Sequence, residues 1–95
     1  MRSYELMTIH RPELSEDEVR SKVTEVETFL GEKGATVSTR DLWGKRRFSY
    51  EIKHVNEGYY SVIAFEAEPT LVDELDRMLS LADEVVRHKV VRPGI

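Results

Sequence analysis

Residues 41–67 read DLWGKRRFSYEIKHVNEGYYSVIAFEA, and this stretch holds two β-prone segments joined by a turn. Phe48, Tyr50 and Ile52 alternate with polar residues, which is the period of two shown by a strand with one buried face. The second segment, YYSVIAFEA, is rich in aromatic and β-branched residues. Two such segments in succession predict a β-hairpin over residues 45–67.

The turn and the bends of this hairpin are indicated by particular residues. The cluster HVNEG predicts the turn, because Asn56 and Gly58 can take positive φ. Residues 35–53 read as extended throughout, and Gly44 interrupts them, which indicates a β-bulge or a bend. Trp43 beside that glycine has two interpretations: its ring stacks on a nucleic-acid base, or it plugs the corner of the bent strand.

One strand and one helix are predicted before the hairpin. The β-prone residues 3–10 are followed by Arg11-Pro12, which ends the strand. Ser15 and Glu18 have the spacing of a capping box, so a helix begins there, and it should end near Gly34. One apolar stripe runs along this helix, formed by Val19, Val23, Val26 and Leu30.

A second helix and a last strand follow the hairpin. Pro69-Thr70 opens the helix, with Thr70 as the expected N-cap. The residues VVRHKVV then form the final strand. The buried face of the helix is predicted to consist of Leu71, Leu75, Met78, Leu79 and Ala82.

The element order is β-α-β-β-α-β, the pattern of a ferredoxin-like α+β fold, here in a single domain over residues 1–95. Two helices cannot cover both faces of a four-stranded antiparallel sheet, so they should lie on one face and leave the other open. Right-handed crossovers give the strand order 4-1-3-2. We expect the following to point at the helices: Phe48, Tyr50, Ile52, Tyr59, Ile63 and Phe65. We expect the following on the open face, whose apolar character indicates contact with a partner: Met7, Ile9, Tyr60, Val62 and Ala64.

Composition argues against several classes of protein. There is no cysteine among the 95 residues, which excludes disulfides and thiolate metal sites. The lack of cysteine makes a reducing cytoplasm the default expectation. The N-terminal sequence does not read as a signal peptide, and no apolar run approaches the roughly 20 residues of a membrane span, so we expect no membrane contact. His10, His54 and His88 lie on three different elements, and no nucleotide-binding or hydrolase motif occurs. We therefore predict no metal, no cofactor and no catalytic residue.

Charge is distributed unevenly along the chain, whose formal net charge is −4. Residues 15–33 carry six acids and three bases, and residues 66–84 carry seven acids and one base. Residues 40–54 carry five bases and two acids, and residues 85–95 carry three bases and no acid. The helices are therefore acidic, and the basic β-structure should attract a polyanion. The alternative is that these cations only keep exposed strand edges from pairing.

The stretch from Gly44 to Lys53 resembles the signature of the bacterial small-subunit ribosomal protein six family. That signature has a glycine, one or two cations, a leucine, a small residue, a tyrosine, any residue, an isoleucine and often a cation. Phe48 stands where leucine is usual. Further similar residues recur along nearly the whole chain, namely Arg2, Tyr4-Glu5, Pro12, Leu14, Gly34, Gly58-Tyr59, Leu75, Val85, Arg87 and Val90-Val91.

The resemblance implies the same fold, no enzyme activity and a structural role in the small ribosomal subunit. It implies binding to the central domain of small-subunit (16S) ribosomal RNA together with ribosomal protein eighteen, as a heterodimer and without a small-molecule substrate. The family's basic positions match Arg2, Arg46, Arg47, Arg87 and Arg92, and charge clustering adds Lys45 and Lys89 as RNA-binding candidates. The candidates for the partner interface lie on the predicted open face: Met7, Ile9, Tyr60 and Val62.

A second interpretation is a small ferredoxin-like regulatory or enzymatic domain that dimerises through its open sheet. Such an enzyme would need a pocket on the sheet with a convergent His, Asn or Arg. A phosphate-binding glycine loop after the first strand is absent, because the residues there are HRPELS.

Overall fold

The computed structural model describes residues 1–93 and confirms the predicted order of elements. Its four strands form one antiparallel sheet in the order β2-β3-β1-β4, which is the predicted order 4-1-3-2 read from the other edge. No helix within this range is long and apolar enough to cross a membrane. The elements are β1 (Arg2–His10), α1 (Glu16–Glu32), β2 (Thr36–Ile52), β3 (Val55–Ala67), α2 (Pro69–Ser80) and β4 (Val85–Val91).

Helix α1 begins at the predicted capping box. The Glu18 backbone N–H donates to Ser15 Oγ at 3.2 Å, and the Ser15 backbone N–H donates to Glu18 Oε1 at 2.8 Å. These two bonds satisfy donors that the first turn of a helix leaves free. The helix ends at Glu32, close to the predicted Gly34, and its apolar stripe is buried as expected.

Helix α2 begins earlier than predicted. Its N-cap is Glu68, which makes no side-chain capping bond, so the assignment of the cap to Thr70 is wrong. Pro69 occupies the first helical turn, where its fixed φ suits the helix and its missing N–H costs nothing. A proline there starts the helix without a polar cap. Leu71, Leu75 and Leu79 are buried against the sheet.

The core lies between the two helices and one face of the sheet. Tyr4 of β1 and Phe65 of β3 pack with 5.6 Å between ring centroids, and Leu30 and Leu75 are fully buried over this face. Burial of these side chains supplies most of the favourable free energy of folding. The remaining members of the core include Leu6, Val19, Val23, Val26, Tyr59, Ile63, Leu71, Leu79 and Val85.

The turn of the β2–β3 hairpin is tighter than predicted. Ile52 pairs with Val55, so the loop consists of Lys53 and His54, whose φ angles are 49° and 68°. Two successive positive φ angles give the twist that a two-residue hairpin requires. The prediction that Asn56 and Gly58 form the turn is therefore wrong.

Gly58 lies inside β3 and has a packing role instead. A Cβ atom at this position would lie 2.7 Å from the carbonyl oxygen of His10 and 2.7 Å from Ile9 Cγ2. Only a residue without a side chain allows β1 and β3 to approach this closely.

A β-bulge at Gly44 confirms the predicted interruption of β2. Leu42 pairs with Ser61 and Gly44 with Tyr60, which leaves Trp43 as an extra residue, and Gly44 has φ +83°. One extra residue reverses which side chains face each side of the sheet.

The bulge overturns the predicted orientation of two aromatic residues. Phe48 lies against Tyr60 on the open face, with ring centroids 6.0 Å apart, and does not point at the helices. Tyr50 is 66% exposed, so it is not part of the core. Ile52, at the tip of the hairpin, is only partly buried.

Candidate functional site

The face of the sheet that α1 and α2 leave uncovered carries the four predicted partner-interface residues. The register places Ile9 between Tyr60 and Arg87, and in the next row it places Met7 between Val62 and Lys89. Ile9 is only 3% exposed, whereas the side chains of Met7, Tyr60 and Val62 are partly exposed. The strands therefore bring the four together, and three of them are accessible.

An aromatic group covers the end of this face nearest the hairpin turn. The Trp43 ring is nearly parallel to that of Tyr60, and Phe48 meets the same Tyr60 ring edge-on at an angle of 67°. The guanidinium carbon of Arg46 lies 5.9 Å from the Trp43 ring centroid, within the range of a cation–π contact. Trp43 is 48% exposed, so it is not a buried plug of the bent strand. Its side chain instead helps to hold Arg46 at the rim of the open face.

The three consecutive cations of β2 do not form one patch. Arg46 lies opposite Gly58 on the open-face side, while Lys45 lies opposite Tyr59 on the helix side, with its Nζ 5.2 Å from that ring centroid. Arg47 pairs with Glu57, on the same side as Lys45. The alternation of the strand thus separates charges that are adjacent in sequence.

The other predicted RNA-binding residues lie in two further places. Arg87 and Lys89 are exposed on the open-face side of β4, and Arg46 lies on β2 at the opposite edge of the sheet, about 14 Å away across three strand spacings. Arg2, at the start of β1, and Arg92, just after β4, are exposed near the other end of the strands. The open face therefore has cations at both of its edges.

A depression of about 430 Å³ lies on the open face, and sequence reasoning did not identify it. Its walls come from all four strands, and β2 contributes Asp41 and the bulged residue Trp43. Asp41 and Glu5 bring carboxylates to it that were not predicted as site residues. The full lining is Glu5, Met7, Asp41, Trp43, Val62, Lys89 and Val91.

The helix side carries the acidic residues, and some of them are paired with cations or histidine. Arg40 of β2 donates to Glu27 of α1 at 2.6 Å and to Thr24 at 3.2 Å. His88 Nε2 of β4 lies 3.1 Å from a carboxylate oxygen of Asp76 in α2. These contacts attach the helices to the two edge strands.

His10 is the one buried histidine among the described residues. It is 1% exposed, and its Nδ1 atom has no hydrogen-bond partner within residues 1–93. Burial lowers the pKa of His10, an effect that Lys22 reinforces and Glu84 opposes. No group of three or more His, Cys, Asp or Glu that could hold a metal ion occurs in this part of the chain.

The enzymatic interpretation requires a pocket on the sheet with a convergent His, Asn or Arg. The described residues that line the depression on the open face include none of these three residue types. What the face combines is an apolar centre, an aromatic group and cationic edges. This combination suits contacts with macromolecules rather than chemistry on a small substrate.

Comparisons with known proteins agree with this description. The family profile described as Ribosomal protein S6 matches residues 3–92. The chain is 44% identical over 94 residues to Small ribosomal subunit protein bS6 of Desulforamulus reducens and 45% identical over 94 residues to that of Symbiobacterium thermophilum, with 99% of each chain covered in both cases. The crystal structure of 30S ribosomal protein S6 from Thermotoga maritima superimposes with a TM-score of 0.91 and 33% identity, covering 96% of this chain and 86% of that one.

Proposed function

The chain belongs to the ribosomal protein S6 family, and from this premise we propose that it binds the central domain of 16S ribosomal RNA as a heterodimer with ribosomal protein eighteen. The family match confirms the resemblance found in the sequence. As a member of this family, the chain is a structural protein of the small ribosomal subunit in the cytoplasm. Its relatives are ribosomal structural proteins and not enzymes.

The observation that carries the RNA proposal is the separation of charge between the two sides of the fold. The helices hold an excess of carboxylates, while Arg46 and Arg87 lie along the two edges of the open face. Phosphates approaching the helix side are repelled, and those approaching the sheet edges release counterions as the cations neutralise them. The protein therefore meets RNA through its β-structure.

Six of the seven RNA-contact candidates divide into two groups by position. Arg46, Arg87, Lys45 and Arg47 lie at the hairpin end of the sheet, while Arg2 and Arg92 lie at the other end. Arginine forks can donate two bonds to one phosphate, so these contacts set the register of the protein on the folded RNA without reading its sequence. Lys89 is the remaining candidate, and it also lines the depression on the open face.

The partner surface is the accessible apolar centre of the open face, formed by Met7, Tyr60 and Val62 above the buried Ile9. A chain of net charge −4 with few phosphate contacts should bind RNA weakly by itself. A basic partner protein seated on this face would add positive charge beside Arg46 and Arg87. RNA binding is therefore expected to depend on heterodimer formation.

Reconstitution with purified components tests this proposal. A transcript of the 16S central domain is titrated with the chain alone, with ribosomal protein eighteen alone, and with both proteins. The fraction of RNA bound is measured by filter binding. We expect the pair to bind much more tightly than either protein alone, and we expect the affinity to fall steeply with salt. Equal binding with and without the second protein would contradict the heterodimer.

A further inference from the structure

The depression on the open face is built around an apolar floor. Met7 of β1 and Val62 of β3 are direct neighbours in the register and form this floor. Trp43 of β2 and Val91 of β4 form apolar parts of the opposite walls. With a volume of about 430 Å³, the depression has room for whole side chains from another molecule.

The charges around this floor are arranged asymmetrically. Asp41 stands on the β2 side, Lys89 stands on the β4 side, and Glu5 lies in the row next to Met7. Neither carboxylate has an ion-pair partner among residues 1–93, although Glu27 on the helix side is bonded to Arg40 at 2.6 Å. The β2 side of the apolar groove therefore carries the unpaired carboxylate of Asp41, whereas on the β4 side Lys89 offsets the carboxylate of Glu5 on the neighbouring strand β1.

We propose that this depression receives an amphipathic segment of the protein partner, which seats an apolar side chain on Met7 and Val62 and turns a cationic side chain toward Asp41. The inference rests on the proposed heterodimer and specifies how its partner is oriented. A cation placed on the β4 side would meet Lys89 as well as Glu5, whereas on the β2 side it would meet Asp41, so charge complementarity favours one direction of the segment over the reverse. Lys89 on this account faces the protein partner and not phosphate.

RNA does not fit the same depression. Its two carboxylates, Asp41 and Glu5, outnumber its one cation, Lys89, and the floor of Met7 and Val62 has no side-chain donor for a base or a sugar. Arg87 lies in the row of Ile9 and Tyr60, one row closer to the hairpin end than Lys89, and Arg46 lies one row further in the same direction, opposite Gly58. RNA and the partner can therefore occupy adjacent parts of the protein at the same time.

Isothermal titration with purified ribosomal protein eighteen tests the inference. The wild-type chain is compared with Asp41→Lys and with Asp73→Lys, which makes the same charge change on the exposed side of α2. We expect Asp41→Lys to weaken binding about tenfold and Asp73→Lys to change it by less than about twofold. Thermal melts of both variants verify that they fold.

Each outcome decides between the inference and the proposed function. Wild-type binding that Asp41→Lys leaves unchanged or strengthens would overturn the inference while the heterodimer stands. Absence of wild-type binding would overturn both. Sedimentation of the chain alone provides a further check, because self-association abolished by Asp41→Lys would assign the depression to a second copy instead.

Discussion

The indole ring of Trp43 lies nearly parallel to the phenol ring of Tyr60, with an interplanar angle of 8° and 6.2 Å between ring centroids. The two side chains share the open face because β2 carries one extra residue where Gly44 pairs with Tyr60. The same bulge turns Arg46 toward the open face and Lys45 away from it. The bulge at Gly44 thus determines that Arg46, and not Lys45, lies beside the partner surface.

Replacing Gly44 should destabilise the protein even though the space around it is empty. Its φ of +83° is unfavourable for a residue with a side chain, so Gly44→Ala should cost about 1–2 kcal/mol of the free energy of unfolding in urea. Gly31→Ala is the matched control, because Gly31 lies in α1 with nothing near its Cβ position and alanine favours a helix by about 1 kcal/mol. Destabilisation of equal size by both variants would contradict this account of the bulge.

Gly58→Ala should be destabilising for a different reason. The added methyl group would meet the His10 carbonyl and Ile9 Cγ2, each at 2.7 Å, so β1 and β3 must separate. We expect a loss of about 1–3 kcal/mol, measured by chemical denaturation. A variant as stable as the wild type would show that the two strands do not approach as closely as described.

Stability should fall at mildly acidic pH because of His10. Its pKa is lowered in the folded protein, chiefly by burial, so below the unfolded-state value of about 6.5 the unfolded chain binds more protons and is favoured. The stabilising contribution of neutral His10 is complete above that pH and is lost as the pH falls toward the lowered pKa.

Urea midpoints measured between about pH 7.5 and about pH 5 test this dependence, since most carboxylates titrate below that window. His10→Gln should flatten the curve, whereas His54→Gln, at a side chain that is 98% exposed, should leave it unchanged. If the urea midpoint of the His10→Gln variant still falls with decreasing pH as it does in the wild type, the pH dependence arises from another group.

Arg46 and Arg47 should contribute unequally to RNA binding although they are adjacent in sequence. Arg46 lies at the rim of the open face beside Trp43, and Arg47 points to the other side, opposite Glu57. Arg46→Ala should therefore weaken binding of the heterodimer to the 16S central domain several-fold more than Arg47→Ala does. Equal losses, or a larger loss for Arg47→Ala, would mean that RNA contacts the other side of the hairpin.

Local signals in the sequence were sufficient for much of the fold. Three such signals involve residues close together in sequence: the capping box at Ser15, the apolar stripe that ends with Leu30, and Gly44 in β2. The start of α1, its buried face and the bulge could therefore be predicted from residue spacing alone. The order of elements then limits the topology to one arrangement. The open face and its central residues Met7 and Val62 follow from that arrangement.

The remaining details depend on contacts between distant parts of the chain. The periodicity of the sequence shows that Phe48 alternates with polar residues. Whether Phe48 faces the helices or the open side of the sheet depends on which residue the bulge leaves unpaired. The sequence around Gly58 is typical of a turn, and only the close packing of β1 against this position shows that the glycine is needed inside a strand. The depression was missed for the same reason, because Glu5 and Asp41 meet only when three strands are aligned.

The salt dependence of RNA binding tests most directly whether the cationic β-structure, and not the helices, engages RNA. Filter binding of the heterodimer to the 16S central domain is measured over a range of salt for the wild type, for Arg46→Ala with Arg87→Ala, and for Arg20→Ala with Arg77→Ala as a charge-matched helix control. We predict that the first pair lowers the slope of log K against log salt by about 1–2 and that the helix pair leaves it unchanged. A reduced slope for the helix pair, with the strand pair behaving like the wild type, would contradict the account.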